Sequence, residues 1–190
     1  MVEKNDSHGR QDFRIDDVIS VADNKITEEE YNLSKGRVSA KSRQNSMLQQ
    51  MVGKELFSAQ EHGVLGAEVA GVLDSLDAKL NYLIGVNMLK DNSQSAMKER
   101  PVNLSVTGVS FVTKNSYKLG EYAQVDIMLP TFPPVSMELV CTIKRAIRLS
   151  NGLMKVAFCF YFRSDEEATT ISQYVFRRHR ELIRAKNLNA

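Results

Sequence analysis

The chain has 190 residues, of which 43% are hydrophobic and 25% are charged, a composition typical of a soluble globular domain with an extension. Lys and Arg number 25 and Asp and Glu 23, so the net charge of +2 argues against delocalised binding to nucleic acid or to a membrane surface. No apolar run approaches the roughly 18 residues of a membrane span, and the polar start lacks the apolar stretch of a secretory signal. We therefore expect a cytoplasmic protein in which any anion site is local.

The first thirty residues carry an acidic excess around two arginines. Four basic and nine acidic residues give 1–30 a local net charge of −5, and Arg10 and Arg14 lie four positions apart within this segment. Residues 15–26 then show short apolar groups of strand type. Thr27, followed by three glutamates, predicts the start of a helix through a capping box.

A helical composition without proline extends from 27 to about 92, and we predict two helices that break near 62–66. In the second, a seam recurs at alternating spacings of four and three, the a/d pattern of a coiled coil. The seam consists of Val69, Leu73, Leu76, Leu80, Leu83 and Asn87. Because it spans just under three heptads, two interpretations stay open. It is either an oligomerising coiled coil, whose seam Asn fixes the register, or an amphipathic helix that covers the side of a domain.

From residue 101 the hydrophobic period changes to two. Four strands are predicted at 103–113, 122–130, 135–149 and 152–162. The Asn151-Gly152 pair between two apolar runs predicts a tight hairpin. Ser164, followed by Asp165, Glu166 and Glu167, forms a second capping box and predicts a terminal helix with an apolar stripe.

Residue groupings in the sequence argue against catalysis. It contains no recognisable Ser/His/Asp or Cys/His grouping, no glycine-rich phosphate loop and no metal-ligand spacing. Cys141 and Cys159 lie in apolar strand-like runs and are interpreted as buried thiols. We expect a protein with no catalytic residue, no metal site and no cofactor.

Two short polar patterns are suggestive of ligand binding. The guanidinium groups of Arg10 and Arg14 each offer a planar fork that can grip a phosphate, or the O6/N7 edge of guanine, with two hydrogen bonds. Asn103 and Ser105 share one face of a predicted strand, and Gly108 permits either a bulge or the close approach of a flat ligand. Taken singly, charges in a mobile arm and a polar outward strand face are the simpler interpretations.

The order of these patterns resembles the PilZ family, bacterial receptors for the second messenger cyclic di-GMP. In that order, Arg-x-x-x-Arg precedes a first strand, Asn-x-Ser-x-x-Gly lies on a later strand, and a helix ends the chain. The resemblance implies an α+β fold, namely a six-stranded antiparallel β-barrel with a long inserted helical, coiled-coil region and a C-terminal helix. The domains would be the arm and first strand (1–26), a helical insert that oligomerises the protein (27–99), and the rest of the barrel with the C-terminal helix (100–190). The insert is similar to that of the helix-bearing, tetrameric PilZ-like branch.

The resemblance further implies a non-enzymatic receptor that binds cyclic di-GMP and relays it to an unidentified partner protein, in motility or biofilm control. The ligand-binding residues that it implies are Arg10, Arg14, Asn103, Ser105, Gly108 and Arg145. Two departures from the family pattern are the Gly9 that stands where many members carry another basic residue, and the long interval of 89 residues between the two patterns. The alternative is a helix-mediated oligomeric scaffold of the same fold that no longer binds the ligand.

Two basic features have competing interpretations. Arg145 interrupts the apolar odd-numbered face of its strand, so its guanidinium would either stack on a base or lie as a charge at the barrel rim. The C-terminal helix carries five basic residues and one acidic residue over 177–186. A solvated helix face explains this charge better than a contact with nucleic acid, so no nucleic-acid partner is expected.

Overall fold

The computed structural model describes residues 13–37, 97–131 and 134–188, together with separate helical positions within 69–83. Its elements are β1 Arg14–Ile26, α1 Glu28–Lys35, β2 Lys98–Ser105, β3 Gly108–Thr113, β4 Tyr122–Leu129, β5 Val135–Arg148, β6 Met154–Tyr161 and α2 Asp165–Leu188. All neighbouring strands are antiparallel, in the closed order β1-β2-β3-β6-β5-β4. The barrel closes through β1, which pairs with β2 along its first part and with β4 along its last.

The predicted α+β architecture is confirmed in its six-stranded antiparallel barrel and its C-terminal helix. The positions described within 69–83 are helical. The prediction of one helix from 27 to the break near 62–66 is wrong, because α1 ends at Lys35 and Gly36 is its C-cap. The coiled coil itself, the break near 62–66 and the division of the chain at 26 and 99 stay predictions, because most of the insert lies outside the described residues.

The single strand predicted at 103–113 is wrong, because the chain turns back on itself within it. β2 ends at Ser105 and β3 begins at Gly108, so that Leu104 pairs with Val109. The Ser105 hydroxyl donates to the Gly108 carbonyl at 3.2 Å and stabilises this turn. The period-two pattern missed the turn because Val106, within it, also packs against the core and continues the apolar alternation.

Large side chains fill the barrel and seal both of its ends. Inside, Phe111 and Phe158 stack with ring centroids 4.8 Å apart, each 2% exposed. Ile171 and Tyr174 of α2 belong to the same buried cluster and cover the end at which β1 begins. At the other end the β3–β4 connection places Tyr117 edge-on to Phe158 at 5.5 Å.

A buried acid, Asp23, holds that second end together. The Asp23 carboxylate accepts hydrogen bonds from Thr113 Oγ1, Asn115 Nδ2 and the Tyr117 hydroxyl, and Arg100 lies 3.4 Å away. A buried carboxylate is tolerated only where such donors replace water. Burial, and then the charge of Asp23, raise the pKa of Tyr117, which remains a neutral donor.

Helix α1 begins at the predicted capping box and packs on the outer wall. The Thr27 hydroxyl accepts from the Glu30 N–H, and the Glu30 carboxylate accepts from the Thr27 N–H at 2.7 Å. Tyr31 stacks on Tyr122 with centroids 4.2 Å apart, and its hydroxyl lies 3.3 Å from that of Thr142. The path of the chain away from β1 is therefore fixed against β4 and β5.

Candidate ligand-binding site

The start of β1 and the end of β2 lie side by side and bring Arg14, of the first polar pattern, next to the second pattern. Arg14 is opposite Ser105, and Asp16 is opposite Asn103. Ile15 between them is 1% exposed and points into the barrel. Since side chains alternate along a strand, Arg14, Asp16 and Asn103 lie on the outer wall.

Three of these side chains form a continuous hydrogen-bonded row. Arg14 Nη1 donates to Asn103 Oδ1 at 3.3 Å, across 89 residues of sequence. Asn103 Nδ2 donates to Asp16 Oδ1 at 2.8 Å. A guanidinium has five N–H donors and a carboxylate about four acceptor positions, so both ends of the row retain capacity for a ligand.

Ser105 and Gly108 shape the β2–β3 turn next to the row. Ser105 is 4% exposed, and its hydroxyl is engaged with the turn. A Cβ on Gly108 would overlap the carbonyl oxygen of Phe158 on β6. The glycine is therefore required by the close approach of β3 and β6, whatever else it contacts.

No family model and no curated protein matches the sequence. Among solved structures, a tetrameric PilZ domain from Xanthomonas campestris, self-assembled through a helical bundle, aligns with a TM-score of 0.62 and 12% identity over 92% of both chains. This barrel has the PilZ fold. The Bacillus subtilis inhibitor of motility aligns with a TM-score of 0.48 and 13% identity over 91% of this chain, which spans about half (52%) of that structure.

Arg145 also lies on the outer wall of the PilZ barrel, because of a β-bulge that the sequence pattern did not predict. A β-bulge between Ile143 and Arg145 shifts the register, so Arg145 pairs with Ala157 and is exposed. The prediction of one apolar odd-numbered face through Ile147 is wrong, because Ile147 is 39% exposed and Ala146 packs against the core instead.

Strand pairing aligns Arg145 with Asn103 across four neighbouring strands. Arg145 pairs with Ala157 on β6, Ala157 pairs with Ser110 on β3, and Ser110 pairs with Asn103 on β2. Three strand spacings of roughly 4.8 Å separate the backbones at Arg145 and Asn103, so the two side chains do not contact each other directly. Arg10 and Asn87 lie outside the described residues.

Asp17 on β1 fixes the C-terminal helix, a relationship that the sequence reasoning missed. Asp17 Oδ2 accepts from the Tyr174 hydroxyl at 2.6 Å and from Arg178 Nε at 2.9 Å. Burial by itself raises the pKa of Asp17, but hydrogen bonds from Arg178, Tyr174 and the Val18 N–H outweigh it and lower the pKa. The sequence does carry a signal for this contact. Asp17 has the same strand parity as the buried residues Ile15 and Ile19, so its carboxylate falls on the inward face of β1, where it needs a partner.

Phe13 anchors the base of the N-terminal arm to the same helix. Its ring lies 5.8 Å from that of Phe176, edge to face, and 4.9 Å from that of His179. Phe13, which directly precedes Arg14, therefore lies against α2.

The described seam residues of the insert are helical and expose large apolar surfaces. Exposed fractions are 48% for Val69, 43% for Leu73, 53% for Leu76, 51% for Leu80 and 57% for Leu83. Within the described part of the chain, no helix is long and apolar enough to span a membrane, and no group of His, Cys, Asp or Glu could hold a metal ion.

Proposed function

We propose that this protein is a non-enzymatic cytoplasmic receptor for cyclic di-GMP that relays ligand binding to a partner protein, in motility or biofilm control. The observation that carries the proposal is the contact between Arg14 and Asn103 on the outer wall. The two motif fragments are far apart in sequence, yet the barrel register makes them neighbours. The PilZ fold of the barrel supports the same proposal.

The chemistry of the row suits this ligand. Cyclic di-GMP presents two phosphates and two guanines, and arginine forks pair with both kinds of group. Arg10, four residues before Arg14 on the arm, would supply a second guanidinium once the arm folds against the wall. A compact dianion gripped in this way needs no global excess of positive charge.

Calorimetric titration with cyclic di-GMP tests the proposal. We expect binding that Arg14→Ala and Arg10→Ala each weaken by about 1.5–3 kcal/mol, the value of a charge-assisted hydrogen bond. Arg148→Ala is the matched control, since Arg148 is also an exposed barrel arginine but lies at the β5–β6 hairpin. No heat at high micromolar ligand, or equal binding by all variants, would contradict the proposal.

We also propose that the insert joins copies of the chain into a homo-oligomer. About half of each described seam side chain is exposed, and burying a leucine is worth about 1.5–3 kcal/mol. The helical bundle of the tetrameric PilZ domain from Xanthomonas campestris supports this arrangement.

Light scattering after gel filtration tests the oligomer. Leu76→Asp with Leu80→Asp should dissociate it, because two seam positions become charged. Ser75→Asp with Ala78→Asp adds the same charge at c and f positions of the heptads and should leave it intact. An oligomer that binds no cyclic di-GMP would favour the alternative function, a scaffold of PilZ fold without ligand.

A further inference from the structure

We propose that Asp16 determines the base specificity of the site by accepting hydrogen bonds from the N1–H and the exocyclic amino group of a guanine. The inference rests on the proposed function. The Asp16 carboxylate lies on the outer wall between the Arg14–Asn103 contact and an apolar surface, and its Oδ1 accepts from Asn103.

The apolar surface beside Asp16 offers a place for the face of the base. Val18, the next outward residue on β1, is 57% exposed and pairs with Pro101, which is exposed on β2. Val18 also borders a groove of about 500 Å³ that continues to Arg177 on α2, within the size range of small-molecule sites. A purine lying on Val18 and Pro101 would bring its edge to Asp16.

The hydrogen-bonding pattern of Asp16 discriminates between purines. A carboxylate only accepts, and guanine offers two adjacent donors on its Watson–Crick edge. Adenine offers an acceptor at N1 in the same place, which would face the carboxylate oxygens. The negative charge also disfavours a phosphate beside Asp16, so it directs the base edge there.

The bond from Asn103 strengthens this arrangement. Asn103 donates to Asp16 and accepts from Arg14, so the carboxylate orients the amide as well as the ligand. Asp16 is thus the end of a chain of polar groups that begins at Arg14.

The test measures the affinities of the full chain for cyclic di-GMP and cyclic di-AMP by calorimetry. Asp16→Asn should lower the preference for the guanine ligand about ten-fold or more, since a two-bond base contact is worth that much discrimination. Val18→Ser should weaken both ligands without changing their ratio. Glu29→Gln, which removes one exposed carboxylate on α1, is the control and should change neither.

The outcomes separate the two proposals. If the unaltered protein binds neither dinucleotide, the proposed function fails and the role of Asp16 fails with it. If it binds cyclic di-GMP and Asp16→Asn keeps the same preference, only the role of Asp16 is overturned. Tighter binding of both ligands by Asp16→Asn would also overturn it, because Asp16 would then only compete for Asn103.

Discussion

The carboxylate of Asp17 accepts a 2.6 Å hydrogen bond from the hydroxyl of Tyr174, which is 157 residues away in the sequence. The preceding residue, Asp16, points to the other side of β1 and accepts from Asn103. Two adjacent residues thus take part in two different sets of hydrogen bonds. Asp16 belongs to the set on the outer wall, and Asp17 to the set that holds α2 against the barrel. The start of β1 therefore links the outer wall of the barrel to the C-terminal helix.

Removing the Tyr174 hydroxyl should loosen that helix. We expect Tyr174→Phe to lower the free energy of unfolding by about 1–3 kcal/mol, because a largely buried carboxylate loses a donor while the aromatic packing is retained. Urea denaturation measures the change. Tyr161→Phe, at a tyrosine that is 40% exposed, is the control and should have little effect. Equal stabilities of the two variants would contradict the assigned role.

The Asp17 contact should also depend on pH. Its pKa is lowered from the ordinary value of 3.8, so its contribution to stability is fully present above that value and is lost as the pH falls through the lower pKa of the folded state. Asp17→Asn cannot titrate at this position. The difference in unfolding free energy between the unaltered protein and Asp17→Asn should therefore shrink as the pH falls from about 5 to about 2. A constant difference over that range would show that Asp17 does not carry the effect.

Phe13 should hold the base of the arm. Phe13→Ala removes the ring contacts with Phe176 and His179, and we expect a loss of about 1 kcal/mol of stability together with faster hydrogen exchange at the start of β1. Leu119→Ala is the control, since Leu119 is a large apolar residue that is 74% exposed in the β3–β4 connection. Unchanged exchange at Arg14 and Asp16 would count against a docked arm.

Gly108 should tolerate no side chain. Gly108→Ala places a Cβ against the Phe158 carbonyl and should cost about 2–3 kcal/mol as β3 and β6 move apart. Gly71→Ala is the matched substitution at a helical position with no neighbour within 4 Å. It should be neutral or stabilise the protein by up to about 1 kcal/mol. Thermal unfolding of the two variants side by side measures the contrast, and similar stabilities would contradict the steric argument.

Local patterns predicted the parts of the fold that depend on local geometry. Thr27 and Glu30 form their capping box within one helical turn, and strand parity placed Asn103 on an outward face. The partners of Asp17 and Asp23 were missed, because each depends on residues that the barrel brings in from elsewhere. The bulge before Arg145 was missed for a different reason: it inserts one residue without changing the apolar composition on either side.

The filled interior of the barrel sets where a ligand can be received. Tyr174 closes one end of the barrel and Tyr117 closes the other. The interior therefore has no room for a ligand, unlike that of wider barrels. Recognition at the outer wall requires no opening of the core. A ligand bound there would leave the packing of the barrel interior unchanged.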